Sequence, residues 1–274
     1  MVSLNSSKEG VLTEFDKYTR LLTGIHGADL KVVLAQSQEQ IDQARRLRYR
    51  IFFNEMSGNP DDDMIKSQMD GDEYDAVCDH LLVIDTTKEK VVGTYRLLGR
   101  AGAAKVGKFY TQNEFIIDPL LESQDGILEL GRSCVDREYR SKATIQLLWR
   151  AIAAYMNYYE IRYLFGCASF SGVDVEAIAE ELSYLHHYHS TPEDISISAL
   201  PEHYIEMNSL PAESLDVKAI MKRLPALIKG YLRVGCYIGS GAFIDYDCQT
   251  TDVCIVLDME KVPQKYKNFY LGNS

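Results

Sequence analysis

The chain has 274 residues, of which 46% are hydrophobic and 25% are charged, and its formal net charge at pH 7 is −11. This composition is ordinary for a soluble globular protein, and the acidic balance argues against a nucleic-acid-binding protein. No apolar run approaches the roughly 18 consecutive residues of a membrane-spanning helix, so the sequence predicts none.

The N-terminus and the cysteines bear on the domain boundaries and the cellular compartment of the chain. Residues 1–28 lack the apolar core of a signal peptide, and we expect a flexible leader ahead of a single domain over residues 29–274. The six cysteines form no CxxC pair, and most of them lie in apolar runs. We interpret them as reduced core thiols of a cytoplasmic protein, rather than as a disulfide framework or a zinc site.

The first half of the domain predicts a strand, a helix, a hairpin and a further strand. LKVVLAQ (30–36) reads as a strand, and Ser37 is placed to cap a helix over 39–56. An acidic loop follows, and residues 80–99 then predict a β-hairpin that turns at TKEK. ILELGRSCV (127–135) predicts a buried strand.

The second half alternates helices and strands. The sequence predicts a helix over 144–159, a strand over 163–170, a helix over 175–187, an insertion near the proline-punctuated residues 188–215, a helix ending in LPALIKGYL (224–232), and the closing strands GCYIG and DVCIVLD. Together these elements predict an α/β protein, an α+β fold with a mixed sheet.

The first helix carries a charge on its apolar face. Its apolar positions are Ile41, Ala44, Leu47, Ile51 and Phe52. At about 100° per residue, Arg48 and Glu55 fall on the same stripe. A charge on an apolar face is costly unless it is paired. Arg48 is therefore either half of a structural ion pair or part of a site wall tied to the acidic loop.

The acidic loop offers three carboxylates in a DxDxxD spacing, Asp70, Asp72 and Asp75. A calcium-binding EF-hand loop requires more ligands and a terminal Glu, so we expect these carboxylates to pair with buried arginines and to shape a pocket. Arg96, on the hairpin, is one such arginine. Its periodicity does not separate a structural role from a site role.

The strand over 127–135 carries two charges. Side chains alternate along a strand, so Glu129 shares its face with Gly131 and Ser133, which are small and leave that face hollow. Arg132 falls on the other, packed face. We therefore predict that Glu129 is catalytic and that Arg132 is locked to an acid of the DxDxxD loop.

A basic loop, DREYRSKATI, follows this strand. Arg137, Arg140 and Lys142 lie just before a predicted helix, whose free backbone N–H groups bind phosphate well. A solvated basic turn is the alternative. Together with Arg45, Arg46 and Arg50, the loop predicts the local basic patch that an acidic chain needs in order to bind an anionic partner.

Two further groups are candidates for the substrate pocket. His186, His187 and His189 lie near a helix end, where histidines commonly cap carbonyl groups, and lining of the substrate pocket is the functional alternative. Lys229 and Arg233, four residues apart, lie on one side of a helix, where they either hold a substrate carboxylate or face solvent.

Segments in order along the chain resemble a known family. They include RYRIFFNEM, CDHLLVID, VVGTYRLL, EFIID, LELGRSCV, LFGCASFSGVD, LSYLHH and LIKGYLRVG. From about residue 30 to residue 260 the chain resembles the ornithine N-α-acyltransferases, a branch of the GCN5-related N-acetyltransferase (GNAT) superfamily. It is similar more distantly to acyl-homoserine-lactone synthases, whose ExDxxD motif is matched by Asp70, Asp72 and Asp75, and whose further motifs are matched by Arg96, Glu129 and Arg132.

The resemblance implies a fold and a reaction. The fold is a central sheet splayed between its fourth and fifth strands, with a pantetheine arm in the gap. The reaction moves a (3-hydroxy)fatty acyl group from acyl carrier protein to the α-amino group of ornithine, giving lyso-ornithine lipid, with no cofactor besides the donor's phosphopantetheine thioester. The superfamily's phosphate loop usually contains glycine, whereas REYRSKA contains none, which fits one phosphate on a carrier-protein arm better than the pyrophosphate of CoA.

This reaction assigns roles to residues of the strand. Glu129 is the expected base, directly or through water, and backbone N–H groups of Ser133, Cys134 and Val135 are expected to stabilise the thioester oxyanion. Cys134 as a nucleophile is disfavoured by its packed face. The side-chain amine of ornithine requires a carboxylate, for which Asp245 and Asp247 are candidates.

Several alternatives stay open at this level. Phe52, Phe53, Trp149 and Phe165 either wall an acyl tunnel or pack in the core. The acceptor is alternatively glycine or lysine, and the enzyme alternatively makes an acyl-homoserine-lactone-type signal. A non-catalytic acyl-binding protein is disfavoured by the intact Glu129. Because the expected product is a lipid, peripheral contact with the inner membrane face is plausible.

Overall fold

The computed structural model of the chain describes residue 22, residues 24–56 and residues 58–271, with the backbone alone for residues 269–271. Most of the predicted leader thus lies outside the described residues. The main strands are β1 Leu30–Leu34, β2 Asp79–Asp85, β3 Lys90–Gly99, β4 Gly126–Val135, β5 Ile161–Ser171, β6 Ala242–Asp245 and β7 Thr250–Asp258. Two-residue strands lie at Phe115–Ile116, Ser198–Ala199, Tyr204–Ile205 and Tyr237–Ile238.

The helices cover or connect these strands. They are α1 Gln38–Tyr49, α2 Asp62–Ser67, α3 Arg100–Val106, α4 Asp118–Glu122, α5 Lys142–Tyr158, α6 Ala179–His189, α7 Val217–Arg223, α8 Ala226–Val234 and α9 Gln264–Leu271. A π-helical turn, Arg50–Glu55, extends α1. Within the described residues, no helix combines the length and the apolar character needed to cross a membrane.

The strands form one mixed sheet with the order β1-β2-β3-β4-β5-β7-β6, extended at the β6 edge by Tyr204–Ile205. Neighbours are antiparallel except β4 and β5, which are parallel. A parallel pair requires a crossover, and α5 supplies it. The Ser141 hydroxyl begins α5 by accepting a hydrogen bond from the N–H of Thr144. The mixed sheet and its helices confirm the predicted α/β fold class.

The sheet splits between β4 and β5, its fourth and fifth strands. Their parallel pairing ends at Glu129 and Phe165, although β4 continues to Val135 and β5 to Ser171. A Cβ on Gly166 would lie 2.3 Å from the carbonyl oxygen of Leu130, so glycine lets the strands touch at the point where they diverge. The predicted splay between the fourth and fifth strands is confirmed.

A β-bulge lies in β4 at the same level. Arg96 of β3 pairs with Gly131, whereas Thr94 pairs with Cys134, so Arg132 and Ser133 together oppose the single residue Tyr95. Arg132 adopts a φ of +49°, in the left-handed region. The bulge interrupts the alternation of side chains beyond Leu130 and redirects Arg132.

Apolar residues pack on both faces of the sheet. One cluster joins Leu128 and Leu164 to Ile152 of α5 and Ile228 of α8. The other contains Phe109, Phe115, Phe165 and Ile195, the last from the predicted insertion. The predicted insertion therefore contributes to both clusters, with Ile195 in this one and Met207 in the first, and Ser198–Ala199 pairs with Phe115–Ile116.

Most predicted elements are present, with shifted ends. Ser37 caps α1, accepting from the N–H of Gln40 at 3.3 Å. The predicted helix over 39–56 is α-helical only to Tyr49. The helix expected to end at 232 is two helices, because Pro225 interrupts it between α7 and α8. The sequence reading missed β6 and the short helices α2, α3, α4 and α9.

Candidate active site

A cavity of about 900 Å³ opens where β4 and β5 diverge. Leu130–Val135 of β4 and Cys167–Ser169 of β5 line it. The π-helical turn adds an apolar wall with Phe52 and Phe53. Trp149 and Phe165, which were proposed to wall an acyl tunnel, instead pack in the two cores.

Glu129 borders the inner end of this cavity and is only 3% exposed. Its carboxylate accepts hydrogen bonds from the backbone N–H groups of Tyr110 at 3.0 Å and Thr111 at 2.6 Å, and from the Thr111 hydroxyl. Burial raises the pKa of Glu129, and the hydrogen bonds from Thr111 and Tyr110 offset part of that rise. Two carboxylate oxygens have about four acceptor positions, so one remains for a water or an amine.

A short 3₁₀ turn, Tyr110–Asn113, holds this carboxylate in place, and the sequence reading missed its role. The Phe109 ring packs against that of Phe165 with 5.2 Å between centroids. The Gln112 side chain accepts from the N–H of Phe109 at 2.9 Å. The turn therefore presents two N–H groups in fixed positions. A backbone contact of this kind leaves little signal in the sequence.

The three aspartates of the DxDxxD loop pair with arginines, as predicted. Arg48, fully buried, lies 2.7 Å from both Asp70 and Asp75, and Arg96 pairs with Asp72 and with Asp75, the latter at 3.3 Å. Burial alone would raise the pKa of Asp75, but the hydrogen bonds and charge of Arg48, together with the charge of Arg96 and a backbone hydrogen bond from Asp72, hold that pKa well below its usual range. Arg48 does not line the cavity, so its role is the structural one.

The position of Arg132 confirms its predicted ion pairs but not its predicted location on a packed face. Arg132 pairs with Asp70 at 3.5 Å and Asp72 at 3.4 Å, as expected. It does not lie on a packed face, however, because the bulge turns it onto the cavity wall, where its guanidinium lies 5.1 Å from the centroid of the Tyr110 ring. Arg132 is therefore both a structural partner and a cation facing the cavity.

The backbone of β4 presents donors to the gap at selected positions. The N–H of Asp136 bonds to Val92 on β3 at 2.8 Å. Successive N–H groups alternate in direction, so that of Val135 points away from β3 into the gap and that of Cys134 points toward β3. By this alternation Val135 is the predicted oxyanion donor that faces the gap, whereas Ser133 lies in the bulge, where the alternation is interrupted. The prediction that the N–H of Cys134 is an oxyanion donor is corrected, because that N–H points toward β3.

The Cys134 side chain borders the cavity but is not activated. Burial raises the pKa of its thiol to about 12, so the nucleophilic thiolate is scarce at neutral pH. An acyl-enzyme through Cys134 is accordingly disfavoured.

The basic patch is smaller than predicted. Arg140 lines the cavity, donating to the carbonyl of Val135 at 2.9 Å and pairing with Glu55 at 2.6 Å. Arg137 and Lys142 are exposed beside it, at the start of α5. The remaining predicted members pair elsewhere, Arg45 with Asp42 and the Asp70 carbonyl, Arg46 with Glu39, and Arg50 with Asp136.

Four predicted pocket residues do not line the cavity. His187 contacts the carbonyl of Leu210 at 2.8 Å, and His186 packs beside it. Lys229 donates to the carbonyl of Lys222 at 3.3 Å, and Arg233 is exposed. Their predicted place in the substrate pocket is therefore wrong for this cavity.

Three carboxylates come together at the cavity floor, which the sequence reading did not foresee. Glu114, Asp245 and Asp252 place one oxygen each within 4.8 Å of one another, a spacing that could hold a metal ion. Asp245 and Asp252 line the cavity. Of these three residues, only Asp245 was predicted from the sequence as a carboxylate for a substrate amine. Asp247, the other candidate, also lines the cavity but is not a member of this cluster.

The chain is similar in sequence to known acyltransferases. The model of the acetyltransferase (GNAT) domain matches residues 47–150. An L-ornithine N(alpha)-acyltransferase from Rhizobium meliloti (strain 1021) is 44% identical over 250 residues, which is 89% of this chain and 84% of that protein. The enzyme of that name from Brucella abortus (strain 2308) is 42% identical over 248 residues, 88% of each. The solved structure of BjaI, a CoA-dependent acyl-homoserine lactone synthase with SAM and isopentyl-CoA, is 14% identical, with a TM-score of 0.46 over 90% of this chain and 92% of that one.

Proposed function

The chain belongs to the L-ornithine N(alpha)-acyltransferase family, and on that premise we propose that it transfers a (3-hydroxy)fatty acyl group from acyl carrier protein to the α-amino group of ornithine. It is an acyltransferase of the GNAT fold. The proposed product is lyso-ornithine lipid, the first intermediate of ornithine lipid synthesis. The proposal includes no resident cofactor, since the phosphopantetheine thioester is a substrate.

One observation carries the proposal: Glu129 borders the cavity at the point where β4 and β5 part. The gap gives the extended pantetheine arm a place between two strands. The α-amine attacks the thioester carbonyl, a C–N bond forms and the C–S bond breaks. Glu129 accepts the proton that the amine loses and returns it to the departing thiolate. A positioned base of this kind contributes about 10²–10⁴-fold.

Backbone N–H groups complete the proposed chemistry. As the amine attacks, negative charge develops on the thioester oxygen, and the N–H of Val135, directed into the gap, is placed to stabilise it. Donors fixed by a strand need no reorganisation as the charge develops. The apolar wall with Phe52 and Phe53 supplies a surface for the acyl chain.

The basic residues at the mouth support a carrier-protein donor. Arg137 and Lys142 are exposed at the N-terminus of α5, and Arg140 joins the cavity to this surface. Acyl carrier protein is acidic and presents one phosphate, so a local cationic surface on an acidic chain meets its requirements. The proposal places the enzyme in the cytoplasm, with peripheral contact at the inner membrane face where its lipid product is released.

The test is a reconstituted transfer assay. Purified protein is incubated with 3-hydroxyacyl carrier protein or with the corresponding acyl-CoA and a panel of amino acids, and products are identified by mass spectrometry. We expect N-α-acylornithine from the carrier-protein donor, with much slower transfer from acyl-CoA. Exclusive acylation of another amine, or equal use of acyl-CoA, would contradict the acceptor or the donor assignment respectively.

A further inference from the structure

We propose that Glu114, Asp245 and Asp252 form the binding site for the side-chain ammonium group of a diamino acid acceptor. This inference rests on the proposed function and deepens it, since it specifies how the acceptor is recognised. These three carboxylates form the acid pocket.

The acid pocket and the catalytic carboxylate are neighbours. Thr111 bonds to Glu129 and lies one 3₁₀ turn before Glu114. The Cys167 thiol lies 3.9 Å from the Thr111 hydroxyl. Two residues further along β5, Ser169 pairs directly with Asp252 of β7. Directly opposed residues share a face, so Cys167 and Asp252 lie on the same side of the sheet, along the cavity floor.

The acid pocket has buried acceptors without donors. Glu114 and Asp252 are only 3% and 4% exposed, and Glu114 Oε2 and Asp252 Oδ1 have no hydrogen-bond partner among the described residues. Buried polar atoms are almost always bonded, so this excess of acceptors indicates a missing donor.

The protein does not neutralise this charge with its own cations. Across residues 24–56 and 58–268, no ion pair with Lys, Arg or His involves the acid pocket. The loop aspartates differ, because each pairs with a buried arginine. A carboxylate cluster left unpaired on a cavity floor can be neutralised by a positively charged ligand.

The electrostatics of the acid pocket agree with a cationic ligand. Burial raises the pKa of Asp252 to about 6, with a contribution from Asp245. Burial and the nearby Asp252 raise the pKa of Glu114 well above its usual range. An entering ammonium favours the ionised carboxylates, so binding releases protons. Affinity for the ammonium therefore rises as pH increases through these pKa values.

An ammonium fits this donor set better than a divalent metal. The ammonium group has three N–H donors and no acceptor, which matches three carboxylates converging from different strands and a turn. Ca²⁺ takes about 6–8 oxygen ligands, and Mg²⁺ usually binds one or two carboxylates together with substrate phosphates. The neighbouring Cys167 is a poor ligand for either ion.

The charges around the cavity also set the orientation of the acceptor. Arg132 lies on the cavity wall and is a cation for the α-carboxylate. Glu129 receives the proton of the α-amine, and the acid pocket receives the far end of the side chain. A neutral side chain of equal length would leave the buried carboxylates unpaired, whereas glycine would not reach them.

The test compares ornithine with norvaline, which has the same carbon chain without the terminal amine. For the unaltered enzyme we expect kcat/KM for ornithine to exceed that for norvaline by at least about a hundredfold, because a site built to bind an N–H group rejects an analogue that lacks it. Asp252→Asn and Glu114→Gln are each expected to lower kcat/KM for ornithine about a hundredfold and that for norvaline less than about threefold. Asp118→Asn, at an exposed carboxylate of α4 that does not line the cavity, is the matched control and retains the preference.

A binding measurement separates recognition from folding. Isothermal titration of ornithine in two buffers of different ionisation enthalpy reports proton release on binding, which the pocket variants should reduce. Melting temperatures of the same variants check that they fold.

Defined outcomes would overturn the inference. If the pocket variants lose equal factors of kcat/KM for ornithine and for norvaline, the acid pocket has a structural role only. If a chelator abolishes activity and a divalent ion restores it, the acid pocket is a metal site. If the unaltered enzyme acylates ornithine but does not discriminate against norvaline, this inference alone fails. If it acylates no ornithine from any donor, the proposed function fails first.

Discussion

Glu129→Gln tests the central chemical role directly. The substitution keeps the shape of the side chain but removes its capacity to accept a proton. The amide oxygen can still accept from Thr111, while the new amide N–H group faces the N–H of Tyr110, which donates to Glu129 at 3.0 Å. That mismatch costs about 1–3 kcal/mol of stability, and it is opposed by relief from burying an ionisable group. We therefore expect a folded variant with a small change in melting temperature.

The expected loss is in turnover. Removal of a positioned base costs about 10²–10⁴-fold, so we expect kcat to fall about 10³-fold, equivalent to about 4 kcal/mol of transition-state stabilisation. KM for ornithine should change little, because the acid pocket and Arg132 are intact. The assay measures release of carrier-protein thiol at saturating donor, with product confirmed by mass spectrometry. Glu129→Asp is the matched control, since it keeps the charge but withdraws it by one methylene.

The pH profile gives a second readout. Burial raises the pKa of Glu129, and only its ionised form accepts a proton, so kcat of the unaltered enzyme falls as pH decreases through that raised pKa. Glu129→Gln should lack this acid limb. Turnover of the Gln variant within about threefold of the unaltered enzyme would refute the base assignment, because the expected effect is at least about a hundredfold.

Further predictions concern stability and donor recognition. Arg48→Met should lower the free energy of unfolding by about 3 kcal/mol, because it leaves buried aspartates without their ion-pair partner. Arg46→Met, at an exposed position of the same helix, is the control and should change it by less than about 0.5 kcal/mol. Urea titration measures both variants, and similar losses of stability would contradict the structural role of Arg48. Gly166→Ala places a Cβ 2.3 Å from a carbonyl oxygen and should cost about 1–3 kcal/mol, unlike Gly131→Ala, which meets nothing within 4 Å. The folded pKa of Asp252 is about 6, above its ordinary value of 3.8, so its stabilising contribution is present at low pH and is lost as pH rises through 6. Asp252→Asn should therefore stabilise the fold by about 1–3 kcal/mol at pH 8 and not at pH 4, and equal effects at both would contradict the shift. Arg137→Glu should raise KM for acyl carrier protein about tenfold and weaken its salt dependence while leaving kcat unchanged; an unchanged KM would move the docking surface elsewhere.

Much of the fold and part of the site were predictable because their causes are local. Periodicity and capping predicted most strands and helices, including the cap at Ser37. The cost of burying charge predicted that Arg48 pairs with the acidic loop, which the ion pairs with Asp70 and Asp75 confirm. The same reasoning selected Glu129 as the candidate base, because the strand sequence places a charged residue next to small ones.

Other predictions failed where side-chain direction depends on a neighbouring strand. Simple alternation put Arg132 on a packed face, but the bulge opposite Tyr95 turns it to the cavity. His186, His187, Lys229 and Arg233 were predicted to line the substrate pocket from their residue types and spacing. None of the four lines the cavity. Nothing in the order of residues along one element reveals which neighbour it meets.

The amino-acid sequence by itself determined the elements, the buried ion pairs and the carboxylate of β4, because each follows from propensity, spacing or the cost of an unpaired charge. The family resemblance implied where the sheet opens, but only the tertiary structure decided which acids share the floor of the opening. Glu114, Asp245 and Asp252 come from a turn and two strands that are brought together by pairing across the sheet. Register between strands is a property of the assembled sheet, and so is the site that it creates.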